Sequence, residues 1–229
     1  MNDQFKYLLT ACMYFTRIPG IRNAPWDEKA QREALKFFPL IGWIVGAFGA
    51  LVLYLAQLFL PLAIAVVIAV IAMLFITGAM HEDGLADSVD AFGGAFEREK
   101  VLQIMKDSRL GVYGGIALVA VLGLKSLLIF ELAFFDLGHG MLALMFTQAA
   151  SRWAVLAIPA ELDYAQTSPD SKSQPMVGER MPWHAVGISA LFVLIPMLIF
   201  GDSSWWIAIL VATAASFAMG RYFKARIGG

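Results

Sequence analysis

The chain has 229 residues, of which 59% are hydrophobic and only 15% are charged, and its net charge at pH 7 is −1. Soluble domains carry roughly a quarter charged residues, so this composition argues against an ordinary soluble domain. The single cysteine, Cys12, excludes an intramolecular disulfide and a cysteine-based metal site, and no basic run is dense enough to predict a nucleic-acid partner.

The first predicted element is a short apolar helix at Phe5–Phe15. It is too short to cross a bilayer, and it lacks the basic region and the small-residue cleavage site of a signal peptide. Lys6 and Arg17 lie at its two ends. We therefore expect an interfacial helix.

Long apolar segments follow, most of them close to the roughly 20 residues that cross a bilayer as a helix. Six spans are predicted, at Leu40–Leu60, Ala63–Met80, Leu110–Phe135, Gly140–Ala160, Ala185–Phe200 and Ser204–Gly220. Polar connections at residues 81–109 and 161–184 interrupt them, and the second contains the Ser- and Pro-rich stretch TSPDSKSQP, which is typical of a flexible loop or a lid. The predicted fold is all-α, a single polytopic membrane domain over residues 1–229 with about six transmembrane helices plus the interfacial helix.

The basic residues predict the orientation. Fifteen of the seventeen Lys and Arg residues precede the first span, lie in the two polar connections or follow the last span, and the connections on the opposite side contain none. By the positive-inside rule the basic side faces the cytoplasm. We expect a multi-pass protein of the inner (cytoplasmic) membrane, with both termini and the polar connections in the cytoplasm.

The densest polar segment is HEDGLADSVDAFGG, at His81–Gly94. If it is helical, Asp83, Asp87 and Asp90 fall at i, i+4 and i+7 and share one face. Like charges at this spacing repel one another, and oxygen ligands suit a hard dication such as Mg²⁺. The segment therefore predicts a Mg²⁺ site, with a solvated acidic loop as the alternative.

Two neighbours of these aspartates are further candidates. Glu82 points roughly 100° away from Asp83 on a helix, so it is a secondary metal ligand. His81 could serve as a base, bind metal or contact substrate, although a lone histidine at a membrane boundary more often does none of these.

A second polar motif, MKDSRLGVYGG, covers Met105–Gly115. Its Asp107 lies between Lys106 and Arg109, and carboxylates beside fixed positive charge are what phosphoryl transfer needs. The alternative is that Asp107 only caps the third span. The glycines of the motif would allow close approach of backbone or ligand, or serve helix packing.

Arg152 is predicted inside the fourth span, roughly 12 Å below its cytoplasmic end at 1.5 Å per residue. It could reach a phosphate at the cytoplasmic rim, or it could pair with Glu131 or with an aspartate of the acidic segment, and both interpretations remain open. Together with Lys125 these intramembrane charges also support an ion-coupled carrier. The densest polar cluster, however, lies at the rim rather than at the midplane where carrier sites usually lie.

Four motifs together resemble the cobalamin synthase family, the membrane adenosylcobinamide-GDP ribazoletransferases of vitamin B12 assembly. They are FTRIP at Phe15–Pro19, FPLIG at Phe38–Gly42, TGAMHEDGLADSVD at Thr77–Asp90 and IMKDSRLGVYGG at Ile104–Gly115. They occur in the family's order through most of the first 155 residues. Members usually continue past a glycine pair such as Gly228–Gly229 into a TGD-containing segment and a final apolar stretch, which this sequence does not include.

The resemblance implies an enzyme that transfers a substituted phosphate group. Adenosylcobinamide-GDP and α-ribazole, or its 5′-phosphate, would give adenosylcobalamin, or its phosphate, and GMP. Asp83, Asp87 and Asp90 would hold Mg²⁺ on the diphosphate, and Asp107 would complete the metal site or act as base. Phosphate would be bound by Lys106, Arg109, Arg17 and Arg152.

A weaker chemical likeness connects the acidic segment to CDP-alcohol phosphotransferases, although its DGLAD differs from their DGxxAR spacing. A lipid phosphotransferase is therefore the second enzyme interpretation. Membrane lipid is an expected neighbour in either case, and a homo-oligomer is compatible with a bundle of this size.

Overall fold

The computed structural model describes residues 2–19, 21, 26–165 and 174–228. Within them the chain forms α-helices joined by turns and contains no β-strand, which confirms the all-α prediction. The helices are α1 (Asp3–Phe15), α2 (Glu28–Ala34), α3 (Phe38–Gln57), α4 (Leu62–Thr77), α5 (Met80–Gly94), α6 (Arg98–Ile104), α7 (Val112–Phe135), α8 (Leu137–Ala154), α9 (Ala157–Glu161), α10 (Gln174–Val177), α11 (Trp183–Phe200) and α12 (Ser203–Ile227).

Five helical segments of the described chain are long and apolar enough to cross a membrane: Glu28–Gln57, Val112–Phe135, Leu137–Glu161, Trp183–Phe200 and Ser203–Ile227. The pair α4 and α5 meets the same test as one span bent by 90°, which makes a sixth. The prediction of about six spans is thus confirmed. We treat α4 as the membrane part of the bent pair, because α5 carries five ionisable side chains.

Several predicted boundaries differ from the observed ones. The last predicted span ended at Gly220, but α12 continues to Ile227. Lys and Arg are good helix formers, and positive charge in the last turn interacts favourably with the helix dipole, so the basic residues 221–226 extend the helix instead of ending it. The predicted loop at 161–184 includes the one-turn α10. The lid prediction concerned this whole connection, of which residues 166–173 lie outside the described residues, and it stays a prediction.

The chain divides into two compact units, which are described separately. Unit 1 comprises Met1–Gly46 and Met145–Gly229, and unit 2 comprises Ala47–Leu144. The prediction of a single membrane domain stays a prediction.

In unit 1, capping side chains set where the first two helices begin. The Asn2 side chain accepts a hydrogen bond from the Gln4 amide, and that of Asp27 accepts one from the Ala30 amide at 2.8 Å. The predicted N-terminal helix is present, and it begins at Asp3 because Asn2 satisfies one of its free amides. Helices α1 and α2 pack against each other.

In unit 2, two successive left-handed residues turn the chain from α4 into α5. Gly78 has φ 66° and Ala79 has φ 55°. Glycine adopts this conformation at little cost, whereas alanine is disfavoured there by roughly 1–2 kcal/mol. The bend of 90° separates the apolar α4 from the polar α5, so the acidic side chains lie outside the apolar segment.

Candidate active site

Helix α5 places the predicted aspartates as the sequence pattern requires. Its buried side is formed by small residues, Ala86 and Ala91, so the helix packs closely on α7. Asp83 is exposed, and Asp87 and Asp90 are half-buried. The helix confirms the i, i+4, i+7 arrangement, but the three carboxylates have different surroundings.

Asp90 is bound to the start of α7. One of its carboxylate oxygens accepts a hydrogen bond from the Gly111 amide and the other accepts one from the Gly114 amide, both at 2.8 Å. Gly111 is the N-cap residue of α7 and has no side chain with which to cap the helix. The first-turn amides of a helix need acceptors and carry partial positive charge. Asp90 therefore caps α7 from a neighbouring helix.

The glycines of the second motif make this contact possible. A Cβ atom on Gly111 would collide with the Asp90 carboxylate, and one on Gly114 would collide with it too and lie 2.8 Å from the Ala86 carbonyl oxygen. A Cβ on Gly115 would meet no atom within 4 Å. The sequence suggested close approach at these glycines but did not identify Asp90 as the group that approaches.

Asp87 lies where negative charge is unfavourable. Its pKa is raised above the usual value, first by burial and then by the charges of Asp83 and Asp90. A carboxyl group whose pKa is raised on folding stabilises the protein below its ordinary pKa, and this contribution is lost as the pH rises through the folded-state pKa. At neutral pH the metal-free protein therefore bears an electrostatic cost at Asp87.

Glu82 contains an unsatisfied polar atom. Its Oε2 atom is buried and has no hydrogen-bond partner within the described residues. A buried carboxylate oxygen without a partner is costly and calls for an explanation such as a bound ion. The sequence made Glu82 a secondary candidate for a metal ligand, and its buried, unpartnered oxygen atom strengthens that candidacy.

The donor atoms of α5 fit Mg²⁺ by their chemistry. Glu82, Asp83 and Asp87 offer carboxylate oxygens, which are the hard ligands that Mg²⁺ binds, while both oxygens of Asp90 accept hydrogen bonds from α7. No group of three or more acidic, His or Cys side chains converges to metal-binding geometry in the described chain. Mg²⁺ ordinarily keeps several waters and binds through one or two carboxylates, so a converged protein cage is not required.

Asp107 forms an ion pair with Arg109. The Asp107 carboxylate accepts hydrogen bonds from the guanidinium Nε at 3.0 Å and Nη2 at 2.6 Å, and from the Arg109 amide at 3.1 Å. These bonds lower the pKa of Asp107 to about 2. The interpretation of Asp107 as the cap of the third span is wrong, because α7 begins later, with Gly111 at its N-cap. Lys106 is exposed beside the pair.

Arg109→Gln is expected to raise the pKa of Asp107 from about 2 toward its usual 3.8. A depressed carboxyl pKa stabilises the fold above the ordinary value, and this contribution disappears as the pH falls toward the folded-state pKa. The wild-type contribution is therefore lost between about pH 4 and pH 2. Carboxyl ¹³C shifts of labelled aspartate would measure the pKa. In the control Lys106→Gln it should not move, and an equal shift in both variants would contradict the pairing.

Arg152 and Arg17 belong to unit 1. Arg152 is buried, and its Nη1 donates to the carbonyl and side-chain oxygens of Gln148 at 2.9 and 2.6 Å. Its guanidinium carbon lies 5.5 Å from the centre of the Phe38 ring. Arg17 is exposed, as is His81 in unit 2. A role of these three residues in phosphate or substrate binding stays a prediction.

Comparison with a family model and with known proteins points to one enzyme family. The family model described as cobalamin-5-phosphate synthase matches residues 7–229. Three similar proteins are each named adenosylcobinamide-GDP ribazoletransferase. That of Ralstonia nicotianae is 40% identical over 100% of this chain and 88% of its own, that of Shewanella amazonensis 37% over 99% and 87%, and that of Leptospira interrogans 36% over 87% and 75%. No solved structure matches the chain.

Proposed function

The chain belongs to the cobalamin-5-phosphate synthase family, and we propose that it joins adenosylcobinamide-GDP and ribazole by a Mg²⁺-dependent displacement at the carboxylates of α5. It is a transferase, as its relatives' names state of them. The reaction forms a bond between a ribose hydroxyl oxygen and the phosphorus attached to cobinamide, and it breaks the bond from that phosphorus to the bridging oxygen. GMP leaves with the bridging oxygen, and the hydroxyl proton is released to solvent. The observation that carries the proposal is the match over residues 7–229, to which α5 adds a fitting set of carboxylates.

Two carboxylates of α5 are assigned to the metal. Asp83 and Asp87 share one face of the helix and would hold Mg²⁺, and Glu82, whose Oε2 atom has no hydrogen-bond partner within the described residues, is an alternative ligand. When bound, the ion would neutralise charge on the diphosphate oxygens. Asp90 is assigned a positioning role, because it holds α5 against the first turn of α7.

Asp107 is assigned to orienting Arg109 and not to proton transfer. A carboxylate with a pKa of about 2 stays ionised at neutral pH and is a poor proton acceptor. Arg109 is largely exposed, at 87% for its side chain, so its guanidinium can turn from Asp107 to an incoming phosphate. Arginine matches phosphate geometry through two parallel hydrogen bonds, and Lys106 would add a second positive charge.

We also propose which membrane the protein occupies and which side its termini face. The helices indicate a multi-pass membrane protein. We place it in the inner membrane with both termini and α5 on the cytoplasmic side, because the basic residues cluster in the connections predicted on that side. The side chains of α7, such as Val119 and Phe135, are largely exposed, which fits contact with lipid. A homo-oligomer stays a prediction.

The proposal is tested by GMP release from the detergent-purified protein supplied with adenosylcobinamide-GDP and α-ribazole or its 5′-phosphate. We expect release that requires the ribazole substrate, stops in EDTA and returns when Mg²⁺ is added. Release that persists unchanged in EDTA would remove the metal from the mechanism. Failure to release GMP in Mg²⁺, from protein that retains its melting transition, would reject the transferase assignment.

A further inference from the structure

Unit 1 contains a cavity of about 290 Å³ with a basic lining. It opens where α2 and α11 begin, and the loop just before α11 closes one side. The charged and titratable residues that line it are Lys29, Arg32, Lys36, Arg180, His184, Glu33 and Glu179. Neither the family match nor the relatives' names give this cavity a role.

The lining carries excess positive charge. Its four Lys and Arg residues face only two carboxylates, which leaves a formal charge of +2 with the histidine neutral. Glu179 pairs with Arg32, Glu33 pairs with Lys36 at 2.6 Å, and Arg180 pairs at 2.7 Å with Asp163, which lies outside the lining. Lys29 forms no salt bridge among the described residues, although its charge is one of the causes that lower the pKa of Asp3. An anion entering the cavity would therefore meet three cations that are in ion pairs and one, Lys29, that forms no salt bridge among the described residues.

The ion pairs in the lining do not prevent the cavity from binding an anion. Arg32 and Glu179 keep 36% and 76% of their side-chain surface exposed, and exposed ion pairs of this kind contribute little to stability. Lys36 is different, because only 11% of its side chain is exposed and its ammonium lies 5.2 Å from the centre of the Tyr7 ring. A desolvated ammonium interacts strongly with any charge that reaches it. A phosphate in the cavity would therefore displace only the exposed partner of Arg32 and would lie near the largely buried ammonium of Lys36.

The size and the position of the cavity limit the classes of ligand that it can bind. Ligand cavities usually measure roughly 300–1,000 Å³, so this one is small and suits a phosphate group with a small substituent better than a corrinoid. It lies at the start of two candidate spans, Glu28–Gln57 and Trp183–Phe200, and apolar residues such as Leu35 and Ile188 complete its lining. Basic pockets between helices at a membrane surface suit phosphate head groups.

We propose that this cavity binds the phosphate group of a phosphate ester, through Lys29, Arg32 and Lys36. Arginine supplies the two-pronged fork that matches phosphate oxygens, and the lysines supply point charges. The phosphate can come from a small soluble ester or from a phospholipid head group. The proposal does not depend on the transferase assignment, because it concerns binding alone.

The test measures binding to the whole detergent-purified chain by calorimetry, with ribose 5-phosphate as the soluble probe. A second arm measures phosphatidylglycerol retained by the protein after exchange into phosphatidylcholine nanodiscs. We expect saturable binding in at least one arm, and the arm that binds identifies the source of the phosphate. Arg32→Gln should weaken that binding about 10-fold or more, since a hydrogen bond to a charged group contributes about 1.5–3 kcal/mol.

Two further variants, expected to change binding in opposite directions, separate an effect on binding from a loss of folding. Lys29→Gln removes an exposed cation and should also weaken binding, whereas Glu33→Gln frees Lys36 from its carboxylate and should strengthen it. The matched control is Lys100→Gln, an exposed cation of unit 2, which should bind like the wild type. Absence of binding in both arms up to about 10 mM, or equal weakening in the control, would overturn the proposal.

Discussion

Replacing Asp87 with asparagine is expected to lower the rate of GMP release about 10³-fold while raising the melting temperature of the metal-free protein. Loss of a metal ligand removes several kcal/mol of transition-state stabilisation, and about 4 kcal/mol corresponds to this rate change. Stability should rise because burial and the charges of Asp83 and Asp90 disfavour the ionised Asp87 carboxylate. A neutral amide of the same shape avoids that cost.

A lower rate of GMP release together with a higher melting temperature distinguishes a functional carboxylate from a structural one. GMP release and thermal melting in EDTA would be measured on the same preparations. The control is Glu97→Gln, which changes an exposed carboxylate of the same unit that makes no capping hydrogen bond, and it should alter neither quantity. An Asp87→Asn protein that keeps a tenth of the wild-type rate, or that melts at a lower temperature than the wild type in EDTA, would refute the assignment.

The second large effect is expected from adding one methyl group to the start of α7. In Gly114→Ala the new Cβ would collide with the Asp90 carboxylate and lie 2.8 Å from the Ala86 carbonyl oxygen. Either the two hydrogen bonds of Asp90 break or α5 moves away from α7. We expect a loss of about 2–4 kcal/mol in the free energy of unfolding, from overpacking together with the lost charge-assisted hydrogen bonds.

The neighbouring glycine provides the control for this prediction. In Gly115→Ala the Cβ meets no atom within 4 Å, and alanine favours a helix interior over glycine by about 1 kcal/mol. Gly115→Ala should therefore be neutral or stabilising, and its GMP release should equal that of the wild type. Denaturant unfolding of both variants would compare them directly. Equal destabilisation would show that the Asp90 contact does not hold the two helices together.

The sequence predicted those features of the structure that depend on local patterns. The apolar segments predicted the spans because a membrane helix needs a long uncharged stretch. The spacing of Asp83 and Asp87 placed them on one face because α5 is a regular helix. The helix ends at Gly94, the second of two consecutive glycines, which are unfavourable inside a helix.

The features that the sequence did not predict depend on contacts between distant residues or on burial. Asp90 looked like a third metal ligand, but its partners are amides 21 and 24 residues further along the chain. Glu82 was ranked second because it points roughly 100° away from Asp83 on a helix, and helical geometry does not show that its Oε2 atom is buried without a partner. At the bend before α5, Ala79 adopts a left-handed conformation. Alanine rarely adopts this conformation, so its presence in the sequence does not predict the bend.

Binding of Mn²⁺, a paramagnetic substitute for Mg²⁺, tests the central claim most directly. Electron paramagnetic resonance would count the bound ions in the wild type and in the Asp87→Asn and Glu97→Gln variants. We predict binding to wild type and Glu97→Gln that Mg²⁺ displaces, and at least about 10-fold weaker binding to Asp87→Asn. Equal Mn²⁺ affinity in all three proteins would contradict a metal site at the carboxylates of α5.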